Sequence, residues 1–218
     1  MTVTSSPNSP RTELRRLPGK ASADVADLHA VLDAGRVAHV AFVTDEGLFN
    51  IPVAYARDGD NLLIHGSTGS RLFRTLAGGT PATITVTLLH GLVLARSAFE
   101  SSMQYRSAMV FGSLGRVGED RMLTALNAMV ETWMPGRWDD LRAPTARELA
   151  ATMVLEMALV EWSVKLSMKD PEDPAEDLDD PVWAGVLPIE TRYGTPFPAP
   201  DLRGRPSIPG YLDDWSLD

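Results

Sequence analysis

The chain has 218 residues, 44% of them hydrophobic, with 29 acidic against 20 basic side chains and no cysteine. That length fits one generous domain, and the lack of thiols excludes disulfides, thiolate catalysis and cysteine-held iron–sulfur clusters. A formal charge of −9 gives a poor field for capturing nucleic acid or an anionic membrane, and no stretch nears the ~20 apolar residues of a membrane helix.

Residues 1–20 are rich in Ser, Pro and basic side chains and lack an apolar run, which predicts a flexible N-terminal arm rather than a secretory signal. A cytoplasmic protein is expected. Ser22 then reads as a helix N-cap, with Val25, Leu28, Val31 and Leu32 at helical spacing and Gly35 as the terminator. A β-rich block follows. The run 37–44 (VAHVAFVT) is one strand and 48–57 a second, and Asp58-Gly59-Asp60 is a hairpin turn into 62–65 (LLIH). Pro52 inside the second run predicts an edge, a bulge or a ligand-facing position.

After Gly69 the period becomes helical, with Leu72, Phe73 and Leu76 on one face and Gly78-Gly79 ending it. Residues 82–89 alternate Thr with aliphatics as a half-buried strand, His90-Gly91 reads as a tight turn, and 92–98 as the returning strand. Residues 107–117 predict another strand. Residues 119–133 predict an amphipathic helix with Met122, Leu123, Leu126, Met129 and Val130 on its apolar side. Thr145 and Glu148 have the spacing of a capping box, and 154–165 reads as one long strand. Residues 169–181 (KDPEDPAEDLDDP) form an acidic, proline-broken linker with no means of packing. Several short strands with few helices between them favour a small barrel.

Two polar clusters stand out. Gly66-Ser67-Thr68-Gly69-Ser70-Arg71 sits where a strand gives way to a helix. Small residues there let N–H groups converge, the helix N-terminus adds partial positive charge, and Arg71 offers a forked donor pair to a phosphate. A plain Gly/Ser loop with a surface arginine is the alternative reading. Arg96, Tyr105, Arg106 and Ser107 form the second cluster, in which the arginines reach an anion or pair with acids such as Glu100. No spacing of His, Asp and Glu suggests zinc.

The segment 64–76 (IHGSTGSRLFRTL) resembles the phosphate-gripping turn of the pyridoxamine 5'-phosphate oxidase-related, FMN-binding split-barrel family. Four further segments fit its nitroimidazole-resistance-reductase-like subgroup in order: VAHVAFV (37–43), FNIPVAYARDGDNL (49–62), GLVLARSAFESSMQYRSAMVFG (91–112) and VWAGVLPI (182–189). The resemblance implies a mainly β, six-stranded split barrel with flanking helices over 21–168. After the linker, at 169–181, a C-terminal segment, 182–218, is expected to pack on the barrel or a partner subunit and to end in a Pro-rich tail. The resemblance further implies FMN along Asn50, Ile51, Pro52 and Val53, its phosphate at Gly66 to Arg71, and Tyr105, Arg106 and Ser107 facing the ligand. Trp183 would stack on a cofactor across a homodimer, or else anchor the core, and His65 would lie beside the flavin as the leading catalytic candidate, or else hydrogen-bond a neighbouring strand or loop. The expected function is electron transfer from NADH or NADPH through FMN to a small oxidant, a nitroaromatic or quinone. The alternative is a non-catalytic protein that binds or senses flavin, haem or deazaflavin.

Overall fold

The computed structural model describes residues 9–204 and 206–215. The first eight residues of the expected arm and the end of the tail lie outside them. In chain order the elements are β1 (Ala21–Ser22), α1 (Val25–Ala34), β2 (Val37–Thr44), β3 (Gly47–Asp58), β4 (Asn61–Ser67), α2 (Arg71–Ala77), β5 (Pro81–Leu94) and β6 (Ser102–Ser113). They continue with β7 (Gly115–Arg116), α3 (Met122–Trp133), α4 (Ala146–Ala151), β8 (Thr152–Ala158), β9 (Glu161–Ser167) and β10 (Gly185–Pro188). The sheet order is β1-β9-β6-β5-β2-β3-β4-β8-β7, antiparallel throughout, with β10 added to β5. This is the expected split barrel, built among the described residues from seven longer strands and three of two to four residues.

Period-two alternation closes the core. On β2, Ala38, Val40 and Phe42 point inward and are buried, while Val37, His39 and Val43 face out. The same inner face takes Ile84 and Val86 of β5, Ala108 and Val110 of β6, and Trp162 and Val164 of β9. Helix α1 plugs the inside with Leu28, Val31 and Leu32. Its end is locked where the Tyr55 phenol donates to the Leu32 carbonyl at 2.6 Å. A second cluster covers the back of the β3-β4-β8 wall, where Ala125 and Met129 of α3 meet Ala56, Leu63 and Val154. Both faces of β4 are therefore buried, which is why Leu62-Leu63-Ile64 reads as a continuous apolar run.

Several expectations need correction. Asp24, not Ser22, caps α1 by accepting from the Ala26 N–H, and Ser22 instead donates to Asp27. His90-Gly91 is not a turn. β5 runs straight through it, with a bulge between Leu89 and Gly91, because β6 and β10 pair with the second half on its two sides. The 154–165 run is two strands that do not pair with each other. β8 joins β4, β9 joins β6, and the corner at Leu159 is fixed by its N–H donating to Asp60 O at 2.8 Å. Leu123 of α3 is exposed, and the helix buries Ala125 instead.

The arm from residue 9 onward lies against β9. Ser9 and Arg11 hydrogen-bond Glu161, Arg11 caps the Phe111 ring, and Lys20 donates to Ser167 at 2.8 Å. The acidic segment also packs, through Asp173. Its nearly inaccessible carboxylate accepts from the Arg96 backbone at 2.8 Å and the Arg96 guanidinium at 2.9 Å. Arg96 thus pairs with an acid, but with Asp173 rather than Glu100.

Candidate functional site

The β4–α2 turn is built largely from its own hydrogen bonds. Thr68 N–H donates to Ala151 O at 2.9 Å, Ser70 N–H to Ser67 O at 2.9 Å, and Gly69 N–H to Ser67 Oγ at 3.1 Å. Ser70 caps α2, its hydroxyl accepting from the Phe73 N–H. The N–H groups of Arg71 and Leu72 open the helix and have no intrahelical acceptor, so they and the Arg71 guanidinium are the turn's outward-facing donors. Gly66 also has a packing job. A Cβ there would stand 2.4 Å from the Phe73 ring, so its bareness lets α2 lie on β4.

Arg71 is exposed and forms a 2.6 Å ion pair with Glu46, in the β2–β3 turn. The two residues frame a cleft of about 220 Å³ floored by Phe42, Phe49, Ile51 and Leu72. An exposed pair of this kind contributes little on its own, so a phosphate can compete for the guanidinium.

β3 supplies a free backbone edge beside this cleft. Gly47 to Ala54 pair with β2 on one side, whereas β4 pairs only with Tyr55 to Asp58. The stretch Asn50-Ile51-Pro52-Val53 therefore has no strand on its other side, and Pro52, which has no N–H to give to a ladder, is tolerated beside that free edge. His65 leaves β4 on the face shared with Val154, at the strand end beside the turn. Its surroundings remove enough water to hold its pKa below the ordinary imidazole value, so it is neutral near pH 7.

The second cluster does not act as one set. Alternation sends Arg106 to the inner face, opposite Leu88 and Leu166, while Tyr105 and Ser107 face outward with Lys165. Arg106 Nε donates to His90 Nε2 at 2.9 Å. Desolvation, then the Arg106 charge, push the His90 pKa down, so its Nε2 remains an acceptor. This contact escaped the sequence reading because His90 reaches Arg106 only through the bulge. Trp183 is exposed and lies over Gly185, where a Cβ would come within 2.7 Å of its ring.

The sequence pattern of the pyridoxamine 5'-phosphate oxidase family matches residues 24–166, from the cap of α1 to the end of β9. The chain belongs to that family. Among solved structures, this family member is similar to the FAD and haem binding protein of Mycobacterium smegmatis. The two are 43% identical over 89% of this chain and 96% of that one, with a TM-score of 0.86. It is also similar to the flavocytochrome Anf3 of Azotobacter vinelandii, 34% identical over 98% of this chain and 100% of that one, with a TM-score of 0.91. A Bacteroides thetaiotaomicron protein named for 5-nitroimidazole antibiotic resistance shares the fold at 17% identity, covering 66% and 85% of the two chains, with a TM-score of 0.57. No curated protein matches the chain. No helix among the described residues is long and apolar enough to cross a membrane.

Proposed function

We propose that this member of the pyridoxamine 5'-phosphate oxidase family binds a flavin nucleotide and a haem and passes electrons between them. The observation that carries the reading is the 43% identity, over nearly the full length of both chains, to a protein named for binding FAD and haem. Likeness to a flavocytochrome over the whole chain supports it. FAD is thereby favoured over FMN, and both carry the ribityl phosphate that the β4–α2 turn suits.

The residues fit such a ligand. The N–H groups at the start of α2, the Ser67 and Ser70 hydroxyls and the Arg71 fork would hold the phosphate. The unpaired edge of β3 at Asn50 to Val53 would take the polar rim of the ring by backbone hydrogen bonds. A bound flavin supplies hydride and single-electron chemistry, and a haem supplies one-electron chemistry. His65, neutral and exposed next to the turn, is suited to hold or pass a proton at a ring nitrogen, or to ligate iron. A nicotinamide cofactor is the donor in this reading, and a quinone or nitroaromatic the final acceptor.

A homodimer completes the reading. The outward face of β2 and β3 exposes Val37, Val43 and Leu48, and β6, beyond β5, exposes Met109. Helix α3 covers this face only at its Ala56 end, and the apolar side chains left exposed beyond it are suited to burial against a second copy. Trp183 would then reach the partner's cofactor.

The test is anaerobic titration of the purified full chain, loaded with FAD and haemin, by NADH or NADPH. The flavin bands should bleach and the haem spectrum should shift to the reduced form. A flavin that bleaches while haem stays oxidised, or no reduction at all, would contradict electron transfer.

A further inference from the structure

At the far end of the barrel from Arg71 a cavity of about 810 Å³ opens beside the β5 bulge. Arg36 and Arg106 line it from the α1 end and from β6, and Arg192 borders it from the tail. Leu88, Leu89 and Ile189 supply an apolar wall. The tail is held there because Ile189 N–H donates to His90 O at 2.8 Å, extending the β10–β5 pairing past the bulge. The two ends of β2 separate this cavity from the Arg71 cleft. Eight residues of strand make that separation about 25 Å.

Among the described residues the cations here lack acidic partners. The chain has more acids than bases, yet neither Arg36 nor Arg106 meets a carboxylate at ion-pair distance among the described residues. Arg106 spends its Nε–H on neutral His90. Arg36 donates from Nη1 to the carbonyls of Asp33 and Gly35, and its buried Nε finds no acceptor. A guanidinium donor left unpaired away from water is costly, and an anion would recover that cost. Among the described residues Glu190 is the one acid lining the opening, against three arginines. Forked guanidinium groups match carboxylate and phosphate oxygens, and the volume suits a sizeable ring system.

We propose that this cavity is a second anion site, which grips the carboxylate or phosphate end of a planar prosthetic group through Arg36, Arg106 and Arg192. The group's identity rests on the reading above, in which the chain takes both a flavin nucleotide and a haem. The acidic end is then either the propionates of haem or the phosphates of the nucleotide.

Wild type and the double variant Arg36→Gln/Arg106→Gln are each titrated with haemin and with FAD as full chains, after matching circular dichroism spectra confirm folding. The proposal expects the double variant to lose at least tenfold in affinity for one ligand and to keep the other. Loss confined to haemin assigns the propionates, and loss confined to FAD assigns the phosphates. Loss of neither, or equal loss of both in a folded variant, overturns the proposal. A wild type that takes up neither ligand defeats the reading above, and inorganic phosphate then decides. Thermal stabilisation of wild type by phosphate that vanishes in the variant supports the site, and no stabilisation of wild type overturns it. If the double variant does not fold, Arg106→Lys, which keeps charge but loses the fork, is judged by the same outcomes.

Discussion

A Cβ on Gly66 would stand 2.4 Å from Cε2 of Phe73, so the glycine that opens the proposed phosphate turn is first a packing residue. Gly66→Ala must push the α2 anchor off β4 and should destabilise the fold by about 1–3 kcal/mol, the range of overpacked cores. Gly69 differs, since the nearest atom to its Cβ would be Ser67 Oγ at 3.5 Å. Gly69→Ala should leave stability nearly unchanged. Chemical denaturation of both variants checks the contrast, and equal midpoints would refute it.

Arg71→Ala should weaken flavin-nucleotide binding by at least ~1.5 kcal/mol, the scale of a charge-assisted hydrogen bond. Stability should barely change, because Arg71 and Glu46 are 66% and 60% exposed. Glu46→Gln releases the guanidinium and should bind flavin as tightly as wild type or more tightly. Fluorescence quenching of the flavin measures both. Unchanged affinity in Arg71→Ala would put the phosphate elsewhere.

Asp173 is the clip of the acidic segment, receiving both the backbone and the side chain of Arg96. Asp173→Ala strands the Arg96 donors, and should cost about 1–3 kcal/mol and loosen residues 169–181. Limited proteolysis should cut the variant in that segment before wild type. Identical digestion patterns would show that the clip does not hold the segment.

Stability should fall on acidification in two stages. His65 and His90 have folded pKa values below the ordinary 6.5, so the unfolded chain binds protons first. Their contribution is complete above about 6.5 and is lost as pH falls through the lower folded values. Glu148, hydrogen-bonded to Arg142 and then Thr145, and Glu161, hydrogen-bonded to Arg11 and then Ser9, titrate at about 2 instead of 4.5. Their contribution is present above 4.5 and fades as pH falls towards 2. Urea midpoints recorded from neutral to acidic pH should decline over both windows, and a rise on acidification would contradict the assignment.

Local pattern carried much of the barrel. The 37–44 run matches β2 residue for residue, and the Thr145–Glu148 capping box forms as its spacing predicts. The failures share a cause: the deciding contact is distant in sequence. Nothing at Leu159-Val160 signals a break, because the corner is fixed by Asp60. His90-Gly91 has turn chemistry, but pairing on both sides keeps β5 extended. Asp173 looks solvated until Arg96 is placed beside it. In the candidate site, the Ser/Gly turn and Arg71 were legible because their donors are consecutive. Arg36 and His90 were not, since they come to line one cavity with Arg106 only once α1, the bulge and β6 are assembled.

The most direct measurement is the absorption spectrum of the full chain, as purified and after addition of FAD and haemin. Flavin bands together with a Soret band are expected, both retained through gel filtration. A colourless chain that takes up neither ligand would contradict the proposed flavin and haem binding.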